Sequence, residues 1–436
     1  MTARALRESW PPRSLRESRS ACSSLSAREA FLYWFPRLAC LVLVVLNVVG
    51  ALLPGADDRF LDLHIYHGSV RSMFAGIDPY TFSINTYPFT YPPFALLVLS
   101  PTWLPLGVIE VVWLVAGLAA VGYLAALVAS ALPEPFHRER TATLWIAAAL
   151  LASVSVRAHL DFGQISLFVI VVTFADAVGR PGRRWGGVAI GLCAAVKLTP
   201  LVFIPWLVIV GRGRDAARAS AAFVLGTAVA WLVLPTHSAF YWRTAIRDTG
   251  RMGDLAASVN QSLHGLLLRS GLSGHTETVV WLTGAGLIGA YTLVRARSCY
   301  RAGLVAEAAT LVGCASLVMS PVTWTHHETW TLMVAAFLIV SGRRADVIGG
   351  VVVLLVAILP LSDFAAHVGV LRWPFDNSHA LVSIAVCLFA FRGRAAQWGA
   401  GDEQLVRDTR DAAGPRASRD VRAAHAGGSA DPASAL

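Results

Sequence analysis

A few polar residues stand beside long apolar runs, and their types set the chemistry open to the chain. Asp62 opens the segment Leu61-Asp62-Leu63-His64-Ile65-Tyr66. A carboxylate there can act as a general base toward a hydroxyl. It can equally be a helix-start acid that complements the N-terminal dipole, and Asp57, Asp58 and Asp78 compete for the role of base. Lys197 is the only lysine; all other basic residues counted with it are arginine. It follows the apolar run Val188 to Val196 and precedes Thr199-Pro200, where proline must break a helix. A cation at a broken helix suits a phosphate or pyrophosphate, against the plainer alternative of a lysine snorkelling to the interface.

His326 and His327 lie in Ser320-Pro321-Val322-Thr323-Trp324-Thr325-His326-His327-Glu328. Neighbouring histidines cannot face the same way on a helix, so one is expected at the site and the other in packing. Phosphate binding or proton handling fits them better than metal, because no paired-ligand spacing such as H-x-x-x-H is present. Asp161-Phe162-Gly163-Gln164 and Val259-Asn260-Gln261-Ser262 add amides that suit the hydroxyls of a sugar, or are simply polar loops.

The elements that hold these residues must be membrane helices. The 436 residues are 56% hydrophobic and 14% charged, whereas soluble domains carry roughly one-quarter charged residues. Apolar runs predict helices over 38–53, 107–132, 141–156, 165–178, 185–196, 200–211, 216–235, 276–294, 302–320, 329–341, 346–361 and 379–391. Twelve crossings put every arginine-rich link (133–140, 179–184, 211–218, 295–301, 342–346 and the tail from Arg392) on the side of the Arg-rich leading segment. The positive-inside rule makes that side cytoplasmic. The net charge of +9 therefore reports topology, and no nucleic acid is expected. Six cysteines without Cys-x-x-Cys spacing suggest neither a disulfide framework nor zinc.

The opposite face collects the loops 54–93, 157–164, 236–275, 320–328 and 362–378, together with the break from Lys197 to Pro200. These hold the polar residues introduced above. Within the first, the spacing of Leu61, Ile65 and Met73 predicts a helix lying along the surface and ended by Gly76 and Pro79, and 94–104 reads as a short dip into the interface. Residues 1–34 and 393–436 read as disordered cytoplasmic tails around a catalytic domain over 35–392.

These segments resemble a known family. The motifs are Asp62-Leu63 with Tyr66, Gly76-Ile77-Asp78-Pro79-Tyr80, Phe89-Thr90-Tyr91-Pro92-Pro93, Gly163-Gln164-Ile165-Ser166-Leu167, Ala194-Ala195-Val196-Lys197-Leu198-Thr199-Pro200, Asn260-Gln261-Ser262-Leu263, and Ser320-Pro321 with Trp324 and His326-His327. In order and spacing they resemble the polyprenol-phosphate-mannose-dependent α-(1→2) mannosyltransferases of glycosyltransferase family 87, which have the GT-C fold. The resemblance implies mannose transfer with inversion at the outer leaflet, from a polyprenyl-phosphate mannose to a hydroxyl of a mannosylated glycolipid or lipoglycan. It implies Asp62 as the base, Lys197 with His326 or His327 on the leaving phosphate, and Tyr66, Tyr91, Gln164, Asn260 and Gln261 toward sugar or acceptor. Membrane lipids are the other expected partners, and no cofactor or metal is expected. One departure is Ser166, where the family pattern has Asn.

Two other readings stay open. A transporter of a lipid-linked sugar would place charges near the bilayer midplane in matching halves, unlike this one-sided distribution. A transferase of another polyprenyl-phosphate sugar, such as arabinose or glucose, shares the same residue logic.

Overall fold

Backbone groups inside a bilayer must satisfy one another, so apolar runs of this length fold as helices. A computed structural model of the chain describes residues 27–52, 59–134, 136, 141–180, 182, 184–365, 367 and 369–393. The first half contains α1 (Ala27–Leu52), α2 (Leu61–Phe74), a hairpin of β1 (Ser83–Ile84) and β2 (Tyr87–Pro88), α3 (Pro93–Val98), α4 (Leu106–Ser130), α5 (Ala142–Ala152), α6 (Val154–Phe162), α7 (Ser166–Ala177), α8 (Val188–Val196) and α9 (Phe203–Ile209). Then follow α10 (Gly213–Val233), α11 (Pro235–Arg243), α12 (Leu263–Arg269), α13 (Gly274–Arg301), α14 (Val305–Met319), α15 (Thr329–Ile339), α16 (Arg344–Ile358), α17 (Leu361–Ala365), α18 (Arg372–Asp376) and α19 (Ser378–Phe389).

A helix stands at each of the twelve predicted positions. Among the described residues, four helices are long and apolar enough to cross a membrane: Ala30–Leu52 within α1, α4, α10 and α13. The pair α5 and α6, bent by 67°, makes a fifth if taken as one span. Leu38, Leu41 and Val45 on α1, Val111 and Val115 on α4, and Leu225 and Leu232 on α10 all face outward. An apolar surface of this extent belongs in lipid, and the chain is an all-α membrane protein.

The core runs through α14, where every residue from Ala306 to Val318 is buried. Gly313 allows this density, because a Cβ there would stand 2.1 Å from the Trp330 ring of α15. Trp330 is thereby fixed against Phe203 and Phe174.

Three expectations change. Residues 157–164 form most of α6 instead of a loop, because Ser153 leaves the helical backbone and its side chain accepts from the Val156 amide, starting a second helix. The helix expected over 38–53 reaches back to Ala27, into the segment read as a tail. The loop 236–275 carries α11 and α12. As predicted, α2 stops before Gly76, whose φ of 74° suits glycine. The expected tails beyond 27–393, like Asp57 and Asp58, lie outside the described residues.

Candidate active site

Asp62 sits in the first turn of α2, whose buried Leu63, Ile65, Tyr66 and Val70 hold it to the bundle. Phe60 starts this helix with a left-handed backbone (φ 51°) and donates its amide to Asp161 O at 2.7 Å. That conformation costs a non-glycine residue roughly 1–2 kcal/mol, offset here by a fully buried ring. Gly163 ends α6 with φ 66°, and a Cβ there would lie 2.6 Å from Leu63 Cβ. Glycine alone permits this approach, which carries Gln164 to Asp62.

Gln164 joins the carboxylate to a set of hydroxyls. Its side chain hydrogen-bonds Asp62. Its oxygen lies 3.0 Å from Tyr91 OH, 3.2 Å from Tyr66 OH and 3.2 Å from Ser166 Oγ. The two phenols are also 3.1 Å apart, so one can donate to the other. Burial pushes the Asp62 carboxyl up to about 6, against the opposing pulls of Gln164 and of the Lys197 charge.

Lys197 ends α8 in an extended conformation, just before Pro200 enters a 3-10 turn over Thr199–Val202. The side chain thus stands in a break outside the helical spans. Its Nζ donates to Ser166 Oγ at 2.7 Å and lies 3.5 Å from Tyr91 OH and 2.8 Å from His327 Nε2. Burial pushes the ammonium down to about 7, with Asp62 pulling the other way.

His327 ends the 3-10 turn Thr325–His327, and its Nδ1 accepts the Trp324 amide at 3.1 Å. A neutral ring with Nδ1 so occupied carries its proton on Nε2, the atom facing Lys197. Burial first, then the Lys197 charge, hold this imidazole well below its usual range and so neutral. Ser166, Lys197, Thr323, His327 and Trp330 line a cavity of about 20 Å³, room for about one water.

The other predicted residues divide. His326 turns from Lys197 toward Phe162 (6.4 Å between rings), and its Nε2 is buried without a partner. Glu328 pairs with His379, so the run His326-His327-Glu328 does not converge on one point. Asn260 Oδ1 accepts the Thr323 amide at 3.0 Å and its Nδ2 donates to Leu255 O at 2.9 Å. Gln261 Nε2 donates to Asp376 O at 2.7 Å, and its Oε1 accepts the Ala380 amide at 2.9 Å. Both amides are committed to backbone rather than free for a sugar. Asp78, a competitor for the base, pairs with His237 at 3.4 Å.

Two residues went unread in the sequence. Ser166, noted only as a departure, is the hydroxyl between Lys197 and Gln164. His159, buried on α6, receives the Leu167 amide at 3.4 Å and leaves Nε2 unpartnered. Its placement depends on α6 being a helix, which no apolar period in that segment announced.

Known proteins share this chain's pattern. The profile of Glycosyltransferase family 87 matches residues 89–321. A Mycobacterium tuberculosis protein called polyprenol-phosphate-mannose-dependent alpha-(1-2)-phosphatidylinositol mannoside mannosyltransferase is 30% identical over 66% of this chain and 72% of its own length. A Mycolicibacterium smegmatis phosphatidylinositol pentamannoside mannosyltransferase with the same donor in its name is 30% identical over 70% of this chain and 76% of its own. No solved structure matches. The profile match and these relatives agree with the motif order, and the chain belongs to glycosyltransferase family 87.

Proposed function

We propose that this chain transfers mannose, with inversion, from a polyprenyl-phosphate mannose to a hydroxyl, the 2-hydroxyl, of a mannosylated glycolipid on the extracytoplasmic face. The observation that carries the reading is one hydrogen-bonded network with a carboxylate at one end and a cation beside a histidine at the other. From Asp62 it runs through Gln164 and Ser166 to Lys197 and His327. The named relatives act from a polyprenol-phosphate-mannose donor on phosphatidylinositol mannosides.

Asp62 takes the proton of the acceptor hydroxyl as its oxygen bonds to the anomeric carbon. The bond from that carbon to the phosphate oxygen breaks on the opposite face. Polyprenyl phosphate leaves with its electron pair and needs no proton. Lys197 Nζ and His327 Nε2–H point donors at the departing oxygens, where charge grows in the transition state. Gln164 orients Asp62, Ser166 orients Lys197, and Tyr66 and Tyr91 line the ground between. His326 packs beside His327, and Asn260 and Gln261 position the loop that holds it.

The donor's isoprenoid tail lies in the bilayer, so its sugar phosphate is met only at an interface. A GT-C arrangement of twelve crossings, with both termini in the cytoplasm and a catalytic domain over 35–392, puts the network at the outer one. The test is transfer by the purified chain from synthetic polyprenyl-phosphate mannose to membrane glycolipids, beside the arabinose and glucose donors. Product with mannose alone supports the reading; product only with another sugar, or none with any, overturns it.

A further inference from the structure

A second pocket, of about 550 Å³, opens between α12 and the segment leading through α18, and shares no lining residue with the Lys197 cavity. Ser258, Arg269, Arg372, Trp373, Asp376 and Asn377 supply its polar and aromatic lining. Arg269 is held from behind: Nε donates to Asn377 Oδ1 at 2.9 Å, and Nη1 donates to Ala257 O at 2.7 Å and Asn260 O at 2.9 Å. Its Nη2 is buried without a partner. Arg372 is 72% exposed and 3.5 Å from Asp376. The lining thus sets two guanidinium groups against one carboxylate.

Such a lining suits a phosphate carried on a polyol. The exposed Arg372 guanidinium donates to phosphate oxygens, where arginine's fork fits best, and Arg269 adds its positive charge from beneath. Asp376, repulsive toward a bare anion, accepts from ring hydroxyls, and Trp373 offers an apolar face to a ring.

The surroundings add a lipid to that headgroup. Val370 is 96% exposed, and Phe364, Leu371 and Trp373 are exposed with it. An apolar edge with tryptophan and arginine is the composition of a segment seated in the membrane interface. The pocket is also built into the wall of the candidate active site. Arg269 grips Asn260 O, Asn260 Oδ1 holds the Thr323 amide, and the next residue, Trp324, fixes His327.

We propose that this pocket binds the phosphodiester and polyol head of an anionic membrane lipid, and that it is where the acceptor glycolipid is anchored while its distal mannose reaches Asp62. The anchoring role rests on the mannosyltransferase reading; the lipid site does not.

The binding test uses the full chain in detergent with equimolar phosphatidylinositol and phosphatidylcholine, retained lipid being read by native mass spectrometry. Phosphatidylinositol should be kept several-fold over phosphatidylcholine. Arg372→Glu and Trp373→Ala should each cut that retention at least fivefold, and Arg372→Lys, which keeps the charge without the fork, should restore part of it. An unchanged melting temperature confirms that these exposed positions leave the fold intact. Equal retention of both lipids, or variants that retain phosphatidylinositol as the wild type does, would overturn the site. Displacement by equimolar free inositol phosphate would overturn the assignment to a lipid. In transfer assays, Arg372→Glu should raise KM for a phosphatidylinositol mannoside about tenfold and leave kcat and the KM for a short alkyl mannoside unchanged. Equal KM changes for both acceptors would overturn the anchoring role. Absence of any transfer by the wild type would instead sink the mannosyltransferase reading, with lipid retention still deciding the pocket.

Discussion

Lys197 Nζ stands 2.8 Å from His327 Nε2, and the Trp324 amide already occupies the other ring nitrogen. The two groups are therefore both donors along the line that joins them, unless the lysine gives up its charge and accepts. A neutral amine can do this while its two protons go to Ser166 and Tyr91. A phosphate oxygen accepting from both removes the conflict and lets the lysine charge. Lys197 can thus stand neutral against His327 in the empty site and is favoured in its charged form when an anion arrives.

This predicts a bell-shaped pH dependence of kcat/KM. Asp62, raised to about 6, must be ionised to accept a proton, so the rate climbs as pH rises through that value. Lys197, lowered to about 7 in the free enzyme, must be protonated to meet phosphate, so the rate falls above it. Asp62→Glu should move the acid limb only, and Lys197→Arg should remove the alkaline limb, because guanidinium does not deprotonate in this range. Initial rates from pH 5 to 9 read both limbs.

The two histidines should separate cleanly. His327→Leu removes a donor aimed at the leaving group and should cost roughly 10²–10³ in kcat. His327→Gln, which keeps an N–H, should recover part of this. His326→Phe replaces a ring whose Nε2 has no partner and should stay within a few-fold of wild type. Single-turnover transfer at saturating donor makes the comparison.

Gly163→Ala should damage both fold and rate. Its Cβ would meet Leu63 Cβ at 2.6 Å on a backbone with positive φ. Strain of this kind costs roughly 1–3 kcal/mol, and relief requires α2 to move, carrying Asp62 from Gln164. Thermal melting and kcat should fall together, whereas Gly76→Ala, with open space around its Cβ, should lower melting alone.

Asn260→Ala should behave as a structural change. It strands the buried Thr323 amide, which costs roughly 1–3 kcal/mol, and it loosens the turn that fixes His327. Melting should drop, and the KM for acceptor mannose should stay constant in the fraction that remains folded.

The sequence carried the helices well, because runs such as 107–132 and 276–294 are long, largely apolar and followed by arginine-bearing links. It carried Lys197 through its singularity and the proline three residues on. It could not choose between His326 and His327, since that choice lies in the 3-10 turn and the Trp324 amide. The use of Asn260 and Gln261 was equally hidden. Amides read as sugar contacts turned out to hold Thr323 and the start of α19, because partners 63 and 119 residues away leave no local trace. The Arg269 pocket was invisible for the same reason.

The most direct test compares Asp62→Asn with wild type for donor binding and mannose transfer in one preparation. The account predicts that polyprenyl-phosphate mannose binds the variant within a few-fold of wild type, while transfer falls by roughly 10²–10⁴, the range for loss of a general base. Transfer at the wild-type rate in the variant would contradict it and place the base elsewhere.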